Sequence, residues 1–284
     1  MKKKMALVLE GGGLRGIYTA GVLDKFLDEN IEFDMVVGVS AGALFGCNYP
    51  SKQKGRALRY NKKYCSDKRY MSFNSWIKTG NFINKEFAFE KLVYELDPFD
   101  FKTFKKSKTK FYAVVTNTKN GKAEYKLIDD MEDKDQMEYM RASGAIPCIS
   151  KMVEVNNEKY LDGAIGDSIP VKWAMDQGYE KVVVVTTRPE DYRMKKKKRT
   201  YAKVMYRKYP EFLKAFLNRY KMYNDTVDLI KELENNKKII VIRPSKFIKI
   251  SRLEKNPEII QKQYDLGYSD CTNMIKDIQK YGKN

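Results

Sequence analysis

Three short stretches of this chain have the residue types and spacing that chemistry needs. In Gly38-Val39-Ser40-Ala41-Gly42 a serine stands between two glycines at the spacing of a nucleophile elbow. In such a turn the glycines leave room for tight backbone packing between a strand and a helix, and the helix start aims N–H groups toward the hydroxyl. The apolar run before Ser40 and the small and apolar residues Ala41 to Leu44 after it supply that context, with a structural turn serine as the other reading. The second stretch, Gly11-Gly12-Gly13-Leu14-Arg15-Gly16, also follows an apolar run and fits two uses. A dinucleotide loop of the Gly-x-Gly-x-x-Gly type further requires an acid at the end of the second strand, whereas Asp34 lies at its beginning. An oxyanion hole requires consecutive amides with no side chains in the way, which these glycines provide. Paired with Ser40, the loop points to acyl transfer rather than to a cofactor.

A serine nucleophile needs a base, and none of the 284 residues is histidine. That count excludes Ser-His-Asp and Cys-His catalysis and His-ligated zinc or iron. Cys47, Cys65, Cys148 and Cys271 lie far apart, and no acidic calcium loop accompanies the motifs, so neither metal nor cofactor is expected. A carboxylate is the leading candidate base. Asp162-Gly163-Ala164 follows the short apolar segment ending at Leu161, and its small residues let another group approach the carboxylate. An ordinary Asp-Gly turn is the alternative. A free Asp, with a pKa of about 3.9, is a weak base in water. Desolvation raises its proton affinity, and concerted transfer during attack would then suffice.

These residues need elements to position them. Met5 to Leu9 and Phe33 to Val37 read as buried strands, each running through a glycine-rich turn into a helical pattern. Further strands are expected at Phe111 to Val115, Tyr125 to Ile128, Val182 to Thr186 and Ile239 to Ile242. Met152 to Val155 and Lys159 to Leu161 flank Asn156-Asn157, a two-residue hairpin turn. Strands alternating with helices imply an α/β sheet covered on both faces. A helix is expected from Lys85 to Leu96, a loop at Lys195 to Arg199, and a long final helix after Pro257 with Ile260, Tyr264, Gly267, Cys271, Met274 and Ile278 on one face. Between them lies an aromatic helical stretch, residues 201 to 223, in which Pro210 starts a helix or kinks one. Its stripe is either core or, if exposed beside Lys203, Arg207, Lys208, Lys214, Arg219 and Lys221, a membrane-docking face or lid.

The net charge is +18, with 24 Lys and Arg against 12 Asp and Glu from residue 190 onward. Such a field suits an anionic membrane surface, or simply a lysine-rich solvated face. No nucleic-acid-binding motif interleaves with it, so no nucleic acid partner is expected. The run Met5 to Leu9 is too short for a signal-peptide core, and no stretch of about 20 apolar residues spans a bilayer. A cytoplasmic protein, with peripheral contact at the inner membrane surface as the option its charge opens, is the expectation.

In their order, Glu10-Gly11-Gly12-Gly13-Leu14-Arg15-Gly16, Gly38-Val39-Ser40-Ala41-Gly42 and Asp162-Gly163-Ala164 resemble the three signature blocks of the patatin-like phospholipase family. Ala142 to Pro147 and Ile169-Pro170-Val171 extend the likeness, and Arg243-Pro244 to Gly267 resembles a bacterial cytoplasmic branch. The resemblance implies a three-layer α/β/α sandwich with a mostly parallel sheet over residues 5–190, followed by a basic, mainly helical C-terminal extension, residues 191–284. It implies a lipid acyl-ester substrate, with Ser40 as nucleophile and Asp162 as base. Gly11, Gly12, Gly13, Leu14 and Arg15 would form the oxyanion hole, with Gly16, Gly38, Gly42, Gly163 and Ala164 in support. Ser168 departs from the family, which often carries Asn before Ile-Pro. A lipid-binding regulatory protein with little turnover is the alternative function.

Overall fold

A computed structural model describes residues 4–283. Among these, eight strands form one sheet: β1 (Met5–Leu9), β2 (Met35–Val39), β3 (Lys110–Asn117), β4 (Ala123–Ile128), β5 (Val153–Val155), β6 (Glu158–Asp162), β7 (Lys181–Val185) and β8 (Ile239–Ile242). The order is β5-β6-β3-β2-β1-β7-β8, with β4 paired to β3. The run β3-β2-β1-β7-β8 is parallel, while β4 and β6 lie antiparallel to β3. The helices are α1 (Ile17–Asp28), α2 (Ala41–Gly46), α3 (Arg56–Tyr64), α4 (Phe73–Thr79), α5 (Phe101–Lys105), α6 (Lys134–Ser143), α7 (Val171–Asp176), α8 (Thr200–Met205), α9 (Pro210–Asn235) and α10 (Pro257–Lys283).

The continuous apolar runs of β1, β2 and β7 are buried throughout, as strands covered on both faces must be. Successive side chains alternate across the sheet. Met5, Leu7 and Leu9 pack with α1 and α10 on one face, and Ala6 and Val8 with α7 and α9 on the other. The result is the expected mostly parallel α/β/α sandwich with a helical C-terminal region. That region is part of the central architecture: β8 extends the sheet beside β7, and α10 crosses α1 with the two backbones in direct approach. A Cβ on Gly21 would lie 2.1 Å from Tyr264 O, and one on Gly267 would lie 2.0 Å from Tyr18 O. Tyr18 Oη donates to Asp270 at 3.0 Å and Tyr264 Oη to Asp24 at 2.7 Å, so hydrogen bonds flank the crossing.

Local departures from the sequence reading have physical causes. The second strand starts at Met35 rather than Phe33; the exposed Asp34 just before it bonds to the start of β1, its carboxylate accepting the Met5 N–H at 2.7 Å and its own N–H donating to Met5 O at 2.9 Å. Glu86–Leu96 winds as a π-helix rather than an α-helix. The hairpin turn is as expected: Asn156 and Asn157 both take positive φ, of 51° and 64°. The aromatic stretch breaks before Pro210, which opens α9 where its missing N–H costs nothing. Its stripe then divides: Phe212, Phe216 and Tyr223 are buried in the core, whereas Tyr201, Val204 and Met205 of α8 are exposed. Among the described residues no helix is long and apolar enough to cross a membrane.

Candidate active site

The C-terminal ends of β1, β2 and β7 open onto a cavity of about 250 Å3, at the end of a parallel sheet where ligands characteristically bind. Ser40 and Asp162 meet there because of the way β3 is shared. One edge of β3 carries β4. The other pairs with β2 as far as Val39 opposite Val114, and then with β6, whose Asp162 lies opposite Val115. β2 and β6 therefore meet end to end, with Ser40 directly after one and Asp162 closing the other. Ser40 Oγ donates to Asp162 Oδ2 at 2.7 Å, and the Ala164 N–H donates to Oδ1 at 2.9 Å.

Ser40 occupies a backbone conformation that side chains rarely adopt, with φ 55°. Such strain costs about 1–3 kcal/mol and persists only where the surroundings hold it. Here the Ser40 N–H donates to Ser143 Oγ at 2.9 Å, and the Ala43 and Leu44 amides donate to Ser40 O at 3.0 Å. The elbow is closed on itself: a Cβ on Gly38 would lie 2.4 Å from Gly42 O. Gly163 is pressed against β3 in the same way, with a Cβ there only 2.1 Å from Val114 O.

Gly11, Gly12, Gly13 and Arg15 line the cavity with Ser40, and Gly16 packs against Ala41 behind it. The Gly11 and Gly12 amides have no protein partner among the described residues. Leu14 departs from the expected set, since its N–H donates to Arg252 O at 3.0 Å and its side chain is buried in the core. It is a structural anchor of the loop rather than a free donor. Glu10 ties the loop to two other elements: its carboxylate accepts the Thr187 N–H and hydroxyl beyond β7, and the Tyr223 Oη of α9 at 2.9 Å.

Burial pushes the Asp162 carboxyl above its ordinary value, which strengthens it as a base. The Ala164 amide, the positive charge of Arg219, the Ser40 hydroxyl and Arg252 hold that rise back. Arg219 is itself pushed down by burial and by the neighbouring Arg252 and Arg199, with Asp162 opposing. Arg15, desolvated and facing Arg188 and Arg252, is lowered to about 10.

A sequence model described as patatin-like phospholipase matches residues 7–175. The chain belongs to that family. A second model, a domain of unknown function (DUF6363), matches residues 209–283. Among family relatives, the Escherichia coli protein YjjU is 34% identical over 195 residues, covering 66% of this chain and 52% of that one. The lysophospholipase NTE1 of Meyerozyma guilliermondii is 25% identical over 186 residues, covering 64% of this chain and 12% of its own. The chain thus spans about half the length of YjjU and a small part of the fungal protein. The crystal structure of VipD from Legionella pneumophila overlays 98% of this chain and 67% of its own, at 12% identity and a TM-score of 0.49.

Several residues around the pair have contacts there that sequence reading did not assign to them. Ser143 belongs to the Ala142–Pro147 block, where only its family likeness marked it. Ser168 donates to Ala164 O at 2.7 Å and accepts Arg219 Nε at 3.2 Å, so it locks the segment after Asp162 to α9. Arg219, expected only as one of the cations beside the aromatic stripe, lines the cavity and bonds to Ser168. Lys197, Lys198 and Arg199, read as an exposed loop, also line the cavity.

Proposed function

We propose that the chain is a serine lipid acyl hydrolase that cleaves fatty acyl esters of lysophospholipids, phospholipids or related lipids. The observation that carries this reading is the 2.7 Å hydrogen bond from Ser40 Oγ to a buried carboxylate beside the glycine loop. As Ser40 Oγ attacks the ester carbonyl, its proton passes to Asp162 Oδ2, and the oxyanion is held by the unpartnered Gly11 and Gly12 amides. Collapse breaks the ester C–O bond, and Asp162 returns the proton to the departing alcohol. Water then attacks the acyl-enzyme, with Asp162 taking its proton and returning it to Ser40 as the fatty acid leaves. The names of the fungal lysophospholipases favour the same substrate class.

The membrane would lie against α8. Tyr201, Val204 and Met205 are 58%, 74% and 51% exposed, close in sequence to the exposed lysines 195–198, of which Lys197 and Lys198 line the cavity. Apolar side chains ringed by cations suit the interface of an anionic bilayer.

Mass spectrometry after treatment with a fluorophosphonate should find the label on Ser40. Turnover of p-nitrophenyl butyrate should fall by about 10^4-fold or more in Ser40→Ala and in Asp162→Asn. Vesicle binding by a protein that neither labels nor turns over any ester would instead favour a lipid-binding role with little catalysis.

A further inference from the structure

The same cavity holds far more positive charge than ester cleavage requires. Arg15, Arg188, Arg199, Arg219 and Arg252 all line it, and Lys197 and Lys198 stand at its edge. Glu10 and Asp162 are its only carboxylates, against five guanidiniums and two ammonium groups. Both Glu10 oxygens accept from Thr187 and Tyr223, and both Asp162 oxygens accept from Ser40 and Ala164. Among the described residues none of the five arginines forms an ion pair. Arg15, only 8% exposed, has its Nε buried without any partner, as does Nη1 of Arg199. Arg188 and Arg199 stack on Tyr192 and Phe216, at 4.3 and 3.9 Å from the ring centres. Stacking fixes a guanidinium by its face and leaves its in-plane N–H groups available.

Resting on the hydrolase reading, we propose that this arginine cradle selects substrates whose leaving alcohol carries a phosphate monoester, as in an acylated glycerol phosphate. A phosphomonoester brings close to two negative charges and three acceptor oxygens, which match several forked donors at once. A zwitterionic phosphodiester carries its own cation into a site already crowded with them, and a neutral glycerol offers no charge at all. In an acylated glycerol phosphate the phosphate belongs to the alcohol side of the scissile bond, within reach of arginines that share one cavity with Ser40.

The test compares three octanoyl esters, of glycerol 3-phosphate, glycerophosphocholine and glycerol, each below its critical micelle concentration so that no charged interface contributes. The phosphomonoester should have a kcat/KM at least ten-fold above the other two. Arg188→Gln with Arg252→Gln should shrink that ratio by ten-fold or more, as should high salt on the unaltered protein. Equal kcat/KM for all three overturns the cradle while leaving the hydrolase intact, and does so even if inorganic phosphate inhibits, since the site would then take free phosphate. If none of the three turns over and Ser40 resists the fluorophosphonate, the hydrolase reading fails instead. The cradle is then read from equilibrium binding, where equal affinity for the phosphate and glycerol esters overturns it.

Discussion

Ser40 and Asp162 are held by close contacts between strand ends and turns, whereas the guanidiniums around them arrive on long side chains from five separate segments. The pair depends on β2 and β6 ending against each other on one edge of β3, with Gly38, Gly42 and Gly163 allowing the approach. The charge depends on residues near the ends of β1 and β7, on α9, and on the connections leading into α8 and α10. Geometry in the first case is tight and intolerant of a single added methyl. Electrostatics in the second is a sum over distant contributors, so each one is tunable alone. A family can keep one arrangement while varying the other.

Adding a methyl group to the backbone half should produce the largest effect. Gly163→Ala places a Cβ 2.1 Å from Val114 O, so β3 and the Asp162 turn must separate. Overpacking of this kind costs about 1–3 kcal/mol, and a displacement of about 1 Å at a reacting group costs roughly 100-fold in rate. Urea unfolding and p-nitrophenyl butyrate turnover read both; a wild-type result in each would show that the close approach is dispensable. The charged half should respond more mildly and in a different observable. Arg219→Gln removes a cation that holds the Asp162 carboxyl down, so the carboxyl rises further. The base works ionised, and turnover disappears as pH falls through its pKa, so the acid limb of kcat/KM should move to higher pH. We expect about a ten-fold loss on a neutral ester near that limb, recovering as pH rises. An unmoved limb would separate Arg219 from the base altogether. Smallest is the exposed edge: Lys198→Gln should weaken binding to anionic vesicles about five-fold at low salt, and equal binding to neutral and anionic vesicles would remove the membrane contact from the proposal.

Much of the fold was legible because its signals are short-range. β1, β7 and β8 appear as unbroken apolar runs, and Asn156-Asn157 announces its hairpin through the positive φ that asparagine tolerates. Pro210 marked a helix start. The π-helical winding of Glu86–Leu96 carries no periodic signature distinct from an α-helix over so few residues. The division of the aromatic stripe was also hidden, because α8 and α9 share the same spacing of large residues and differ only in what lies opposite them. At the site, a motif that is a property of consecutive residues could be seen, as with the elbow and the glycine loop. Leu14 looked like one more amide of that loop until Arg252, 238 positions away, was found to accept its N–H.

The sequence alone determined which chemistry was open to this protein. Without histidine, a carboxylate was the leading candidate base for a serine in an elbow, and the Asp162-Gly163-Ala164 block offered one. What only the tertiary structure decided is how that carboxylate is conditioned. Its burial, its 2.7 Å bond to Ser40, and the Arg219 charge behind it come from strands and helices separated by 57 to 122 positions. Proton affinity depends on solvent exclusion and on charges within a few ångströms, and a linear chain specifies neither until it has folded.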